Sequence, residues 1–222
     1  MPIINNVEEL LKKGLAEVSG IDAYLRFPAP EQIDAFVAYL TELKKWNKAY
    51  NLTSLKTDED IIIKHFLDSL LYLKAIPEGR LRIADIGSGA GFPGIPLKII
   101  RPDIELSLIE PSRKKAAFLR HIIRHLRLKG VEVIEKRIED EGIQGLLIPF
   151  DIVLTRALFS IKDFIKKASP IVKKGGLLVV SKGPAVLEEL DELKGSTITY
   201  SLLPTALPLT SDVKRYIVII KV

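Results

Sequence analysis

Apolar residues recur at intervals of three and four through the first 75 residues of the chain, a spacing that predicts helices. The repeats run through residues 10–18, 33–43 and 62–71. The connection "IPEGR" at 76–80 then supplies the Pro and Gly that are typical of a break between units. We therefore expect residues 1–78 to form a helical N-terminal lobe packed on the rest of the chain.

Beyond this connection, short β-branched runs alternate with helical stretches. The runs predict strands at 81–86, 104–109, 131–135, 151–155 and 176–181, and the stretches predict helices near 94–101, 112–128, 160–172 and 184–193. Such alternation is typical of β-α-β units with a parallel sheet. The segments "STITYSLL" and "VKRYIVIIKV" add two strands without a helix between them, so the last strand is expected to return antiparallel. The predicted fold class is α/β, with a Rossmann-like domain over 79–222 and a seven-stranded, mostly parallel sheet.

Composition excludes several classes of protein. The chain has no cysteine, which rules out disulfides, thiolate metal sites and cysteine nucleophiles. It also lacks an apolar run of membrane-spanning length, and its first residues do not have the layout of a signal peptide. We expect a cytoplasmic protein that does not enter a membrane and acts as a monomer.

The net charge of +5 is unevenly distributed. Residues 1–80 contain 10 Lys and Arg against 12 Asp and Glu, whereas residues 81–222 contain 23 against 16. The second part therefore carries the whole basic surplus, and such a surplus favours a polyanionic partner such as nucleic acid.

The stretch "IADIGSGAGFPGIPL" at 83–97 contains Gly89, Gly91 and Gly94 in the G-x-G-x-x-G spacing of a dinucleotide site. It follows a predicted strand and opens a predicted helix, where parallel sheets bind ligands. One interpretation is an NAD(P)-dependent oxidoreductase. Asp85 argues against it, because a carboxylate about 4 Å from a pyrophosphate costs about 1 to 4 kcal/mol. The same carboxylate would instead attract a cationic ligand such as S-adenosylmethionine.

Two further acidic positions suit an adenosyl cofactor. Glu110 ends the second predicted strand, where a carboxylate accepts hydrogen bonds from ribose hydroxyls, a feature that both candidate cofactors share. The dipeptide Ile138-Glu139 follows the third strand, in a position either to line an adenine or to form an ordinary solvated loop.

Five segments resemble the RsmG (GidB) family of bacterial small-subunit ribosomal RNA guanine-N7 methyltransferases. They are "KWNKAYNLTS" (45–54), "KHFLDSL" (64–70), "ADIGSGAGFPGIPL" (84–97), "DIVLTRA" (151–157) and "KRYIVII" (214–220). The resemblance implies a class I methyltransferase fold that uses S-adenosyl-L-methionine and releases S-adenosyl-L-homocysteine. The implied target is the guanine at nucleotide 527 of 16S ribosomal RNA, either as RNA or in the small ribosomal subunit.

The resemblance also implies site residues. Gly87 and Phe92 are expected to contact the cofactor, Ile138 and Glu139 to flank its adenine, and Arg156 to reach the site from the fourth strand. The full set of expected cofactor-binding residues is Asp85, Gly87, Gly89, Gly91, Phe92, Glu110, Ile138, Glu139 and Arg156.

Guanine N7 has a free lone pair, so its methylation needs positioning and charge stabilisation but no general base. The sequence agrees, because it has no cysteine for a covalent mechanism and "LTRAL" stands where amine methyltransferases have an Asn-Pro-Pro-aromatic motif. We assign Arg156 the catalytic role of anchoring the guanine O6 edge or the cofactor carboxylate. The alternative is a structural salt bridge.

Expected RNA contacts are basic. Arg113, Arg120, Arg124 and Arg127 form a stripe along the predicted helix 112–128, and such a stripe either follows phosphates or is simply solvated. Competing patches are Lys214-Arg215 and the lysines 162, 166 and 167. The expected RNA-binding set is Asn51, Arg113, Lys114, Arg120, Arg124, Arg127, Lys214 and Arg215.

Three other features have competing interpretations. Asn51 either ends a helix or belongs to a lid over the cofactor pocket. His65, Asp68 and Ser69 suggest a hydrolase triad, but a His65–Asp68 pair that orients the lobe is the better interpretation. His121 and His125 have no third ligand nearby, so no metal is expected. A non-catalytic RNA-binding module remains a further alternative to the enzyme.

Overall fold

The computed structural model describes residues 2–21, 29–140, 148–156, 158–193, 195–210 and 212–222. Residues 22–28 of the predicted lobe lie outside the described residues. The predicted N-terminal helices are present: α1 (Pro2–Ile21), α2 (Pro30–Tyr50), α3 (Asp58–Ile61), a π-helical turn (Ile62–Leu67), α4 (Asp68–Leu70) and a 3-10 turn (Leu71–Ala75). No helix of the described residues is long and apolar enough to cross a membrane.

The remainder forms one seven-stranded sheet in the order β3-β2-β1-β4-β5-β7-β6. Its strands are β1 (Arg82–Ile86), β2 (Glu105–Ile109), β3 (Val131–Ile134), β4 (Phe150–Arg156), β5 (Val172–Lys182), β6 (Thr199–Ala206) and β7 (Lys214–Lys221). The helices are α5 (Gly94–Ile100), α6 (Arg113–His125), α7 (Ile161–Ala168) and α8 (Val186–Asp191). Strands β1 to β5 are parallel, and β7 pairs antiparallel with both β5 and β6. The predicted fold class is confirmed.

Two predicted helices are longer than the observed ones. The helix predicted over 112–128 ends at His125, and Arg127 has a left-handed backbone with φ of 53°. The helix predicted over 160–172 ends at Ala168 and is followed by a 3-10 turn containing Pro170, which has no N–H to continue a helix. Strand β5 therefore begins at Val172, earlier than predicted.

Apolar side chains cover both faces of the sheet. On one face the N-terminal helices pack with α5 and α6 in a single cluster that includes Phe36, Phe66 and Phe118. On the other face α7 and α8 pack against alternate strand residues such as Val153 and Val180. The N-terminal helices thus share a hydrophobic core with the sheet, although the predicted boundary between residues 78 and 79 stays a prediction.

Candidate active site

The glycine loop, residues 87–93, joins the end of β1 to the start of α5, as the sequence predicts. Gly87, Gly89 and Gly91 have φ angles of +70°, +61° and +101°, a region that side chains disfavour. These glycines let the chain turn sharply at the carboxyl end of the central strand. In parallel sheets that edge is where ligands bind.

Most N–H groups of the loop already have hydrogen-bond partners in the protein. Gly87 and Ser88 donate to Ile109 O at 2.8 and 3.3 Å, and Gly91 and Phe92 donate to Ser88 O at 2.7 and 2.8 Å. The N–H groups of Gly89 and Gly94 donate to carboxylates, those of Glu110 and Asp85. A phosphate cradle needs such groups free and directed at the ligand, which this loop does not provide.

The Asp85 side chain accepts a hydrogen bond from the first N–H group of α5. Its carboxylate is fully buried, and Oδ2 accepts a hydrogen bond from the Gly94 N–H at 3.0 Å. Oδ1 is buried without a hydrogen-bond partner among the described residues. Burial raises the pKa of Asp85 to about 7, although the Gly94 hydrogen bond and the charge of Arg156 oppose the shift. The site therefore contains a buried carboxyl group with one oxygen still able to accept.

Glu110 ends β2 beside the loop and is almost completely buried. Its Oε2 accepts from the Gly89 N–H at 2.8 Å, and its Oε1 accepts from the Ser112 N–H at 2.9 Å. Each carboxylate oxygen can accept more than one hydrogen bond, so both can still accept from a ligand. Glu110 therefore fixes the loop, and its predicted contact with a ribose stays a prediction.

A cavity of about 250 Å³, here called the loop cavity, opens beside Gly87. Ile138 and Glu139 line it, as the sequence predicts for an adenine site, and Leu158 and Phe159 form part of its wall. Glu139 also forms a 2.5 Å ion pair with Lys167, and that hydrogen bond lowers the pKa of Glu139. The cavity has a largely apolar lining, with Glu139 and the basic residues Lys136 and Arg137 among its charged residues.

A larger cavity of about 540 Å³, here called the strand-end cavity, lies at the carboxyl ends of β4 and β5. Its lining includes His65, Asp68, Arg156, Ser181, Lys182 and Arg215. The side chain of Lys182 forms a 2.5 Å ion pair with Glu189. The N-terminal helices, two parallel strands and β7 therefore all contribute to this cavity.

Arg156 is fixed on several sides. Nη2 donates to Nδ1 of His65 at 3.0 Å, and Nη1 donates to the carbonyl of Lys64 at 3.3 Å. Nη1 lies 3.6 Å from Asp68 Oδ2, and the guanidinium carbon lies 5.1 Å from the centre of the Phe92 ring. Since His65 and Lys64 belong to the π-helical turn, this irregular turn contributes to holding the arginine.

The proposed His65–Asp68 pair is wrong, because each residue pairs with an arginine instead. Asp68 Oδ1 accepts a 2.7 Å hydrogen bond from Arg215 Nε, while Oδ2 faces Arg156. Arg156 from β4 contacts both residues, and Arg215 from β7 contacts Asp68. Asp68 still orients the N-terminal lobe against the sheet, but it does so through Arg156 on β4 and Arg215 on β7.

His65 is partly buried and neutral. Its Nε2 lies 2.7 Å from Thr53 Oγ1, and its ring stacks on Phe92 with 4.4 Å between centroids. Burial and the charge of Arg156 together lower the pKa of His65 to about 3. Both ring nitrogens are engaged, so His65 has no free nitrogen with which to act as a base.

The model of the family described as rRNA small subunit methyltransferase G (GidB) matches residues 32–218. The chain belongs to this family. One member, ribosomal RNA small subunit methyltransferase G of Geobacter sp. strain M21, is 37% identical over 223 residues, covering 98% of this chain and 99% of the relative. Its counterpart from Acetivibrio thermocellus is 38% identical over 198 residues, covering 86% and 81%. The predicted family is thereby confirmed.

Solved structures with low sequence identity share the fold. Precorrin-6y C5,15-methyltransferase from Geobacter metallireducens has a TM-score of 0.53 and 16% identity, covering 76% of this chain and 90% of that one. A ribosomal protein L11 methylase from Lactobacillus delbrueckii subsp. bulgaricus has a TM-score of 0.53 and 13% identity, covering 68% and 75%. The fold of this family member is therefore that of Rossmann-like methyltransferases.

Several structural contacts around the family's glycine loop were not predicted. The ring of Phe92 is only 5% exposed and packs against Tyr39, so the predicted cofactor contact of Phe92 stays a prediction. The Tyr39 hydroxyl donates to the carbonyl of Ala90, and Tyr72 donates to Thr155 O at 2.6 Å while accepting from Ser181 N. Tyr39 belongs to the apolar repeat of α2, which indicates burial but not a loop contact.

The predicted RNA-binding residues lie on several elements, and their contact with RNA stays a prediction. Arg113 and Arg120 both pair with Glu135, at 3.5 and 2.7 Å, while Arg127 lies beyond the end of α6. Four of the remaining residues are exposed: Lys114 and Arg124 on α6, Lys214 on β7, and Asn51 at the end of α2. Arg215 instead lines the strand-end cavity.

Asn51 ends α2 with a left-handed backbone, φ of 49°. Its N–H donates to Asn47 O at 3.1 Å, and Thr53 N donates to Asn47 Oδ1 at 2.9 Å. Asn51 therefore ends the helix, as one of its two interpretations predicts. The segment also reaches the strand-end cavity, because Ser54 lines it.

Proposed function

We propose that the protein transfers a methyl group from S-adenosyl-L-methionine to N7 of the guanine at nucleotide 527 in 16S ribosomal RNA. Membership of the rRNA small subunit methyltransferase G family supports an RNA substrate in the small ribosomal subunit. The nucleotide and the N7 position rest on the resemblance of the five motifs. We further propose that the protein acts in the cytoplasm as a monomer.

The residues present fit a cationic adenosyl cofactor. The buried Oδ1 of Asp85 has no partner in the described chain, and a positively charged ligand would stabilise the charged form of this carboxyl. We assign the ribose hydroxyls to Glu110 and the adenine to the cavity of about 250 Å³ that Ile138 and Glu139 line. When bound, this cofactor supplies an electrophilic methyl group next to the glycine loop.

The same geometry disfavours a nicotinamide dinucleotide. Its pyrophosphate would require free N–H groups at the start of α5, whereas the Gly94 N–H is already bonded to the Asp85 carboxylate. The pyrophosphate would also be held close to the buried carboxylate of Asp85. Membership of the rRNA small subunit methyltransferase G family supports the methyltransferase over the oxidoreductase most strongly, and the hydrogen bonds that already engage the loop N–H groups agree with it.

The strand-end cavity suits a nucleophile that needs no deprotonation. His65 is neutral with both nitrogens engaged, and Asp68 is held between two arginines. No acidic or histidine side chain of the described cavity lining is thereby left as a free base. N7 of guanine has an available lone pair, so the residues need only position the base and exclude water.

Arg156 is proposed to hold the guanine. A guanidinium has five N–H donors in a rigid plane, and its bonds to His65 and Lys64 leave donors available. Donation to guanine O6 would fix the plane of the base and leave N7 unobstructed. It would not stabilise the positive charge that develops on the base, because the guanidinium is itself a cation. Positioning is thus the main contribution that we assign to Arg156.

The test is incubation of the full chain with donor labelled in its methyl group and with either deproteinised 16S RNA or small ribosomal subunits. We expect label at one guanine, with N7 identified by cleavage at the methylated base. Binding of RNA without transfer of label would favour the non-catalytic module. Calorimetry that detects a nicotinamide dinucleotide but no S-adenosylmethionine would favour the oxidoreductase.

A further inference from the structure

Four aromatic rings follow one another across the junction of α2 and α6, outside both cavities. Tyr50 and Trp46 lie 5.4 Å apart between ring centroids, Trp46 and His121 lie 5.1 Å apart, and His121 and His125 lie 5.7 Å apart. Each helix supplies two rings one turn apart, so neighbouring turns of both helices present them together. We call these four residues the aromatic ladder.

The ladder is anchored on the inside and open at its ends. Trp46 packs against the buried Phe118, with 5.5 Å between centroids, and His121 Nε2 lies 2.5 Å from the Glu42 carboxylate. At the two ends, Tyr50 is 44% exposed and His125 is exposed. Rings held by the core lose little conformational entropy when a ligand stacks on them.

Positive charge flanks the ladder. Lys45 Nζ lies 3.7 Å from the carboxylate of Glu42, which also contacts His121, and Arg124 lies on α6 three residues after His121 and one before His125. Both cations are exposed, and within the described residues Arg124 forms no ion pair. Aromatic faces next to exposed cations match the two components of a single-stranded nucleic acid, its bases and its phosphates.

We propose that the aromatic ladder binds an unpaired segment of the RNA substrate, with bases stacked on Tyr50 and His125 and phosphates next to Lys45 and Arg124. This inference rests on the proposed function for the choice of RNA. Paired RNA keeps its bases inside the helix, whereas bases in loops and bulges are free to stack on aromatic side chains. The ladder therefore selects unpaired RNA near the target, at a surface separate from the cavities.

The chain offers a direct reporter, because Trp46 is its only tryptophan. We would titrate the full chain with an oligouridylate of about ten nucleotides, a length in the range of known single-strand sites, and follow tryptophan fluorescence. Stacking should quench Trp46 in a saturable way. A duplex RNA of equal charge and inorganic polyphosphate are the comparison ligands, and neither should produce the same quenching.

Matched variants test whether rings are required. We expect Tyr50→Leu and His125→Leu each to weaken oligouridylate binding at least about five-fold, the lower end of the effect of losing one stacked base. Tyr50→Phe should bind like the native chain, because it keeps the ring. Tyr200→Leu, at a comparably exposed tyrosine on β6, is the control and should also bind normally.

Two results would overturn the inference. One is equal quenching by polyphosphate and oligouridylate, which would indicate a site for charge alone. The other is unchanged binding in both leucine variants. The titration requires no methyl transfer, so the two proposals fail separately. A chain that methylates ribosomal RNA without ring-dependent binding contradicts only the ladder, and ring-dependent binding without methylation contradicts only the proposed enzyme.

Discussion

Nδ1 of His65 accepts a hydrogen bond from Nη2 of Arg156 at 3.0 Å. An arginine can only donate, so this bond fixes the proton of the neutral imidazole on Nε2. Nε2 in turn donates to Thr53 Oγ1 at 2.7 Å. The segment after α2, the π-helical turn and the end of β4 are therefore joined through one ring, and the orientation of Arg156 depends on His65 staying neutral.

The neutral state of His65 predicts a loss of stability in acid. Its pKa is 6.5 in the unfolded chain and about 3 in the folded one, so between these values only the unfolded state takes up the proton. Stability from this group is complete above pH 6.5 and declines as the pH falls towards 3. At pH 5 the loss is about 2 kcal/mol.

The measurement is denaturant unfolding of the native chain and of His65→Asn at pH 7 and pH 5. Asn keeps an acceptor near the position of Nδ1 but takes up no proton. The free energy of unfolding of the native chain should therefore fall more between the two values. His121 and His125 are present in both chains and cancel in the comparison. An equal fall in both chains would contradict the neutral assignment.

Arg156→Lys tests the role of the planar guanidinium. Lysine keeps the charge near Asp68 but cannot donate simultaneously to His65, Lys64 O and a guanine edge from one rigid plane. We expect kcat/KM for RNA methylation to fall by about 100-fold or more, while the circular dichroism spectrum is retained. Arg80→Lys is the control, since Arg80 pairs with Glu105 at the opposite end of the strands. Equal activity of both variants would exclude Arg156 from the site.

Sequence patterns predict the sheet well because the inner strands β1, β2 and β4 are buried on both faces, as in "IADI" and "DIVL". They also place the glycine loop and Arg156 correctly, since both lie at strand ends. They do not predict which carboxylate meets which arginine. Asp68 is paired with Arg215, 147 residues away, and such a contact depends on the three-dimensional approach of two elements. The acceptors of the loop N–H groups cannot be predicted either, because the spacing of residues along the chain does not say which acceptor each N–H bonds.

The glycines of the loop should respond differently to alanine. A Cβ at Gly89 would meet nothing nearer than the carbonyl of Gly87 at 3.9 Å, whereas one at Gly91 would lie 2.7 Å from both Ile95 Cγ1 and the Tyr39 hydroxyl. Both positions have positive φ. Gly89→Ala should cost only about 1 to 2 kcal/mol of stability, and Gly91→Ala about 3 kcal/mol or more.

Gly89→Ala, the variant that should lose less stability, should nevertheless lose cofactor affinity. The methyl group of Gly89→Ala would project into open space beside Glu110, where we place the cofactor, so its S-adenosylmethionine affinity should fall about ten-fold or more. Thermal unfolding and calorimetry on both variants give the two readouts. Native affinity in a folded Gly89→Ala would show that the cofactor does not approach this glycine.

Asp85→Asn should raise stability and reduce function together. Because burial raises the pKa of Asp85 from 3.8 to about 7, the folded state holds more protons than the unfolded state between these values. Stability from this group is complete below pH 3.8 and is lost as the pH rises through 7. At pH 8 the buried charge costs up to about 4 kcal/mol, and a neutral Asn removes that cost.

Asn can still accept from the Gly94 N–H, so the loop should keep its shape. It offers no negative charge to a cationic ligand, and we expect S-adenosylmethionine affinity to fall about ten-fold or more at pH 8. Asp103→Asn is the control of opposite sign, because the hydrogen bond from Arg101 lowers the pKa of Asp103. That variant should gain no stability and bind the cofactor normally. A stabilised Asp85→Asn with native affinity would mean that the carboxylate does not face the cofactor, since only its charge has been removed.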